Sequence, residues 1–348
     1  MANRKSKRSL HIRRLPASRG LPIQVHCLTS ACISSADKNL VAMYAGGHRP
    51  GPGYPFLGGY LIYDARNDSI SAIPELPYDH FLAELVMFAA IVMCAAGNYD
   101  YFLAELVRVW PQCSEAALSL WRLSVKKWAL HPSRLPLPSN TTSHFSSNLC
   151  FSCLGSILCW VDLLKGMVLC DLKQNCKFSF IPLPKYCPPY NLYSNKYRYG
   201  SAEEFRSMAC VDGEIMFVAL DEYDKHQPDL QASKGMYLTI WTLSHDLSGW
   251  KQSHKYNVEN IWASEAYKPA GVRNLPPSLP VLSIHEDGVV YLVLNDLRAL
   301  DHGLEYVGQW MVRVDIGNDK VQLYPLDEEN SVTSQLVAIE FSAQRQHL

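Results

Sequence analysis

The sequence predicts an all-β, β-propeller-like fold of about five to six irregular blades of antiparallel strands, and three observations carry that prediction. Short apolar runs alternate with polar turns through most of the 348 residues, which is the rhythm of strands and hairpins. In the clearest unit, residues 155–184, apolar side chains occupy both parities of each run. Both faces of its sheet should therefore be buried, whereas a sheet with one wet face would alternate apolar with polar. The same unit returns in weaker form, with centres near Asp64, Trp121, Asp171, Trp241 and Asp315 at intervals of 57, 50, 70 and 74 residues. Repeats of this kind mark an array of supersecondary units. Their uneven spacing leaves a β-sandwich with long loops as the alternative.

In chain order, residues 1–38 read as a basic tail, 39–341 as one β-propeller-like domain and 342–348 as a C-terminal tail. Up to Ala36 there are seven basic residues and no acidic one; subtracting them from the 32 basic residues leaves 25 against 33 acidic, a net charge of −8. That balance gives the body no nucleic-acid-binding surface. The tail fits a disordered arm, a nuclear import signal or an organelle transit peptide. No signal peptide with a basic start and an apolar centre is present, so the expected location is intracellular, cytoplasmic or nuclear, with organelle import as the alternative. The longest apolar stretch, 85–96, falls short of the roughly 20 residues that a bilayer helix needs. Eleven cysteines is an odd number, and Cys94, Cys159, Cys170 and Cys210 sit inside apolar runs, where reduced thiols are expected.

Each element has its own signal. Residues 46–59 form a loop rich in glycine and proline, and its prolines lack the amide donors that a phosphate cradle needs. Strands follow at 60–63 and 69–73, closed by Pro74. Residues 78–86 return almost unchanged as 99–107, a local duplication. The first copy runs into 87–96, which fits a buried helix or a strand pair, and the second reads as a strand. A pair at 117–123 and 127–130 carries Trp121 and Trp128 and ends in the proline-rich run 132–138. The clearest unit then supplies strands near 156–161, 167–170 and 178–181 before Pro182 and Pro184, which cannot continue a central strand. Residues 208–211 and 215–220 flank Asp212-Gly213, a dipeptide that accepts positive φ. Pairs at 237–243 with 249–251, 282–285 with 289–294, and 311–315 with 321–324 complete the array. Proline follows the aspartate by ten or eleven residues in three units: Pro74 after Asp64, Pro182 after Asp171 and Pro325 after Asp315.

Catalytic patterns fare poorly. Cys150 and Cys153 have the spacing of half a zinc site or a redox pair. No second knuckle matches them, and they precede a strand instead of opening a helix, so buried or partly exposed thiols are expected. The acidic run Asp221, Glu222 and Asp224 lacks the glycine and the later glutamate of a calcium loop. His285-Glu286-Asp287 falls at a turn, and no Gly-x-Ser-x-Gly elbow occurs. No catalytic, metal or cofactor-binding residue is assigned, and no cofactor is expected. The surface candidate is the aromatic loop 188–200, where Tyr190, Tyr193, Tyr197, Arg198 and Tyr199 combine the residue types enriched at binding hot spots.

The motifs from Trp160 to Asp162, from Leu169 to Asp171 and from Phe180 to Pro184 resemble the plant family called domain of unknown function 1618, which is expanded in grasses. Tyr63-Asp64-Ala65-Arg66, Phe102 to Leu106, Trp241 to Leu243 and Trp250-Lys251 extend the resemblance over about 58–326. It implies a propeller-like relative of the domains that follow F-boxes in ubiquitin ligase adaptors, and it carries over no catalytic or ligand residues. The first 40 residues contain no recognisable F-box. The expected function is a non-catalytic protein-interaction module with a protein partner and no membrane span. Alternatives are a metal-dependent propeller-type hydrolase and a substrate-recognition relative of ubiquitin ligase adaptors lacking its own F-box.

Overall fold

A computed structural model describes residues 31–45, 59–74, 89–94, 100–108, 115–138, 145–185, 187, 201–221, 235–300 and 303–326. The chain divides into two compact units, 1–134 with 340–348, and 135–339. The described residues hold twenty strands in five four-stranded antiparallel sheets, each a meander whose spatial order is its chain order. Five such meanders make the chain β-propeller-like with five blades. A sandwich would need two large facing sheets instead.

In the first unit, β1 (Ala31–Asp37), β2 (Leu40–Ala45), β3 (Gly59–Asp64) and β4 (Ser69–Ala72) form one sheet. β5 (Ala89–Met93), β6 (Tyr101–Arg108), β7 (Glu115–Arg122) and β8 (Lys127–Arg134) form the other. Strand β1 begins at Ala31, ahead of the boundary expected at residue 39, because Ser34, Ser35 and Asp37 interrupt its apolar pattern. Those polar side chains pair with backbone. Ser34 Oγ accepts from the Ala89 amide at 2.7 Å, Ser35 Oγ from Ile91 at 2.8 Å, and Asp37 Oδ2 from Met93 at 2.6 Å. The side chains of β1 thus satisfy β5 amides that would otherwise be buried without partners.

Of residues 87–96, where a helix or strand pair was expected, the described ones, 89–94, hold one strand, β5. The second copy of the duplication supplies β6, as predicted, while the first copy, 78–86, lies outside the described residues. Strand β8 runs on through Pro132 to Arg134, past the exit expected after Leu130. It is the outermost strand, paired only with β7, where a missing donor costs little. The unit's core joins Leu40, Ala42, Ile62, Ile91, Leu103 and Trp121. Trp121 and Trp128 face each other across the sheet, ring centres 5.9 Å apart, and Trp128 Nε1 donates to the Pro74 carbonyl of the preceding sheet at 2.9 Å.

In the second unit the clearest sequence unit gains a fourth strand: β9 (Leu149–Cys153), β10 (Ile157–Asp162), β11 (Gly166–Asp171) and β12 (Lys177–Pro182). The next sheet holds β13 (Arg206–Val211), β14 (Glu214–Asp221), β15 (Tyr237–Leu243) and β16 (Trp250–Asn257). The last holds β17 (Ser278–Leu282), β18 (Val289–Leu300), β19 (Gly303–Asp315) and β20 (Lys320–Leu326). Strand β17 ends where the sequence reading began its strand at 282, because residues 283–288 form the turn. Strand β13 packs against both β9 and β17, so neighbouring sheets of this unit meet at their first strands. Trp160 is fully buried, as are Val168, Phe217 and Val290.

All five sequence centres fall on the third strand of a sheet, on β3, β7, β11, β15 and β19. The repeated aspartate ends that strand and ties the turn that follows. Asp64 Oδ1 accepts from the Arg66 amide at 3.0 Å, Asp171 Oδ1 from Lys173 at 2.9 Å and Asp315 Oδ1 from Asn318 at 3.1 Å. The turn pair Asp212 and Gly213 takes the expected positive φ, 48° and 85°. Trp250 Nε1 donates to the Pro182 carbonyl at 2.7 Å, repeating the contact of Trp128 with Pro74. In both cases a tryptophan on a sheet's fourth strand holds the proline that closes the sheet before it.

Candidate functional site

Strand direction alternates within each sheet, so its connections alternate between two ends. In the second unit the turns 154–156, 172–176, 212–213, 244–249, 283–288 and 316–319 lie at one end of their sheets, and the turn 163–165 lies at the other. Connections 183–205, 222–236 and 258–277 leave from the opposite ends. Contacts between the third and fourth sheets match like ends. The Leu154 side chain lies against Gly213, turn to turn. Asn148 Nδ2 donates to Glu203 Oε1 at 3.0 Å, joining the approaches to β9 and β13.

The candidate surface is the loop end, and buried polar residues form its base. Arg206, the first residue of β13 and 4% exposed, donates through Nη1 to the Leu163 carbonyl at 3.0 Å. Leu163 in turn donates its amide to Asn148 Oδ1 at 2.8 Å. Asp162, also buried, accepts from the amides of Ser146 and Leu164 at 3.0 and 2.9 Å, and Lys165 Nζ lies 3.1 Å from its Oδ2. Glu204 Oε1 accepts from the Ser201 amide at 3.4 Å, tying the short 3-10 turn Ala202–Glu204 before β13. Asp221, at the end of β14, accepts from Thr239 Oγ1 at 2.5 Å. Burial pushes the Cys187 thiol up to about 11, with Arg206 opposing and Asp221 adding to the shift. At neutral pH that thiol is protonated and unreactive. Further along this end, Arg273 pairs with buried Asp296, and the Tyr267 hydroxyl donates to the Arg273 carbonyl.

This base frames two of the sequence candidates. The aromatic loop with Tyr190, Tyr193, Tyr197, Arg198 and Tyr199 lies outside the described residues, but the chain on either side of it, at Cys187 and Ser201, belongs to the base. Of the acidic run, Asp221 is described and hydrogen-bonded; Glu222 and Asp224 lie outside. Sequence reasoning missed Arg206, Asp162, Asn148 and Glu203. Arg206 and Asp162 carried a usable signal, a charge directly abutting an apolar run, but their partners lie 43 and 16 residues away. Among the described residues no group of three or more His, Cys, Asp or Glu could hold a metal ion. Among the same residues no helix is long and apolar enough to cross a membrane.

The cysteines require one correction. Cys94, Cys159 and Cys170 are free, as expected, but Cys210 is bonded to Cys153, which was also expected to be a thiol. Cys150 and Cys153 differ by three positions on one strand, so they point to opposite faces and cannot pair.

Five four-stranded antiparallel meanders define the class as a β-propeller-like protein. Residues 160–291 match the family model described as a protein of unknown function (DUF1618). That match bears out the family resemblance drawn from the sequence motifs. No curated protein matches the chain in sequence. Solved structures resemble it in fold. The polysaccharide lyase Uly1 does so with a TM-score of 0.43 at 12% identity, covering 88% of this chain and 73% of that one. The tricorn protease reaches 0.33 at 9%, covering 82% and 21%. An apocarotenoid oxygenase of Synechocystis reaches 0.35 at 10%, covering 82% and 57%. The chain thus spans about a fifth of the protease and somewhat over half of the oxygenase. Likeness at this level carries no argument about activity.

Proposed function

We propose that this chain is a non-catalytic protein-interaction module whose contact residues are Tyr190, Tyr193, Tyr197, Arg198 and Tyr199. One observation carries the reading: the charged residues at the base of this end are committed to holding the fold together. Arg206 grips the Leu163 carbonyl, Glu203 holds Asn148, and Asp162 accepts two amides. A rigid base of this kind suits recognition by the loops it carries, because pre-organised contacts lose less entropy on binding. Tyrosine and arginine supply contact area and hydrogen bonds at low entropic cost. The family resemblance implies a narrower alternative within this reading, a substrate-recognition relative of ubiquitin ligase adaptors lacking its own F-box.

The test changes Tyr193, Tyr197 and Arg198 together to alanine in the full chain, followed by affinity purification from native cells and mass spectrometry. A specific partner should be lost while the thermal transition stays in place. An unchanged partner list would move the contact elsewhere. Stoichiometric binding of a divalent metal with hydrolysis of a simple ester or lactone would establish the hydrolase reading instead.

A further inference from the structure

We infer that Cys153 and Cys210 form a reversible thiol–disulfide site that clasps the third sheet to the fourth. The two residues lie on first strands, β9 and β13, with Cα atoms 5.7 Å apart and 57 residues between them in sequence. Each stands close before a tight turn, Cys153 before Leu154-Gly155 and Cys210 two residues before Asp212-Gly213, so the bond joins two hairpin ends across the seam between sheets.

Three features make this pair the site of exchange. The first is asymmetric access: Cys153 is 3% exposed, whereas Cys210 is half-buried and reachable by a small thiol. The second is that the reduced form is also accommodated, since the Cys153 sulfur has the Gly213 carbonyl oxygen as an acceptor at 3.6 Å. The third is the protection of other thiols among the described residues. Cys150 and Cys159 are buried, and burial pushes the thiols of Cys94, Cys159, Cys170 and Cys176 upward, which keeps them protonated and poor nucleophiles.

Closure needs an oxidant, and a small-molecule disulfide such as glutathione disulfide supplies it. The Cys210 thiolate attacks one glutathione sulfur and expels a glutathione thiolate, leaving a mixed disulfide on the accessible residue. The Cys153 thiolate then attacks Cys210 Sγ, forms the intramolecular bond and expels the second glutathione. Two protein thiols are oxidised, one glutathione disulfide is reduced to two thiols, and the two thiol protons are accounted for. Excess reduced glutathione runs the same steps backwards.

The experiment equilibrates the full chain in glutathione buffers of stepped redox ratio. It quenches with N-ethylmaleimide and measures the peptide cross-linked through Cys153 and Cys210 by mass spectrometry. The cross-link should rise and fall reversibly with the ratio while Cys159 and Cys170 become alkylated only after denaturation. The urea midpoint should fall on reduction in the native chain and be insensitive to the buffer in Cys210→Ser. Absence of the cross-link under glutathione disulfide would overturn the inference, and so would a cross-link that excess reduced glutathione cannot open. Should Cys210→Ser fail to fold, Cys153→Ala provides the same insensitive control.

Discussion

At Asp100 two opposing forces act on one carboxylate. Burial raises its pKa, but hydrogen bonds from Ser124 and Arg122 outweigh that effect and hold the carboxyl below the usual range. The ionised form is the one the fold favours. Its contribution is therefore complete above the ordinary carboxylate pKa of about 4 and is lost as pH falls through the lower, folded value. Asp100→Asn should remove that part of the acid dependence and cost about 1 to 3 kcal/mol at neutral pH by leaving partners unsatisfied. Urea titrations at neutral and acid pH check both effects. Trp160 tests the apolar side: it is fully buried, and Trp160→Ala should cost about 3 to 5 kcal/mol, as large aromatic truncations in cores do. An unmoved urea midpoint would contradict its place in the core. Residues such as Trp160 and Asp171 were legible because local pattern sets their roles, an apolar run or a turn beginning. Ser34, Asp162 and Arg206 were not, since each acts on backbone that only the folded chain brings within reach.

Elements show where local rules and tertiary context part. The hairpin at Asp212-Gly213 and the aspartate-to-proline repeat were readable because turn chemistry is local. The first strands β1 and β9 were not, for polar residues interrupt the pattern of β1, β9 is only five residues long, and each makes contacts to the neighbouring sheet as well as its own. Gly166 opens β11 with φ at 150°, and a Cβ there would come 2.3 Å from the Ile181 carbonyl oxygen. Backbone strain and steric conflict should make Gly166→Ala cost about 3 kcal/mol, read as a lower urea midpoint with an unchanged slope. The outer tryptophans make a milder prediction. Trp250→Phe keeps a ring and removes only the N–H that reaches Pro182, so about 0.5 to 1.5 kcal/mol should be lost.

For the whole molecule, the sequence pattern brackets the sheets at about five to six and marks one residue on the third strand of each of the five, because that strand carries the most apolar or the most turn-defining residues. It does not yield the division into two units, since no change of composition marks residue 134. Circular dichroism of the full chain should be dominated by strand, matching the five meanders. Deleting residues 2–19 should leave the thermal transition where it was, because that segment lacks apolar periodicity and carries the seven unbalanced basic charges. A large fall would mean that it docks on the acidic body.

In the second unit the long connections all leave from one end of their sheets, so a turn at the other end offers a handle. The turn 244–249 is tied internally, with Ser244 Oγ accepting from the Gly249 amide at 3.1 Å and Asp246 Oδ1 accepting from Ser248 Oγ at 2.7 Å. It lies at the opposite end of its sheet from the connection that brings in the tyrosine-rich segment. A biotin-acceptor peptide grafted there would immobilise the protein on a sensor chip through the end of this sheet away from Ser201 and Arg206, whereas the same peptide placed between residues 188 and 200 would interrupt the proposed contact itself.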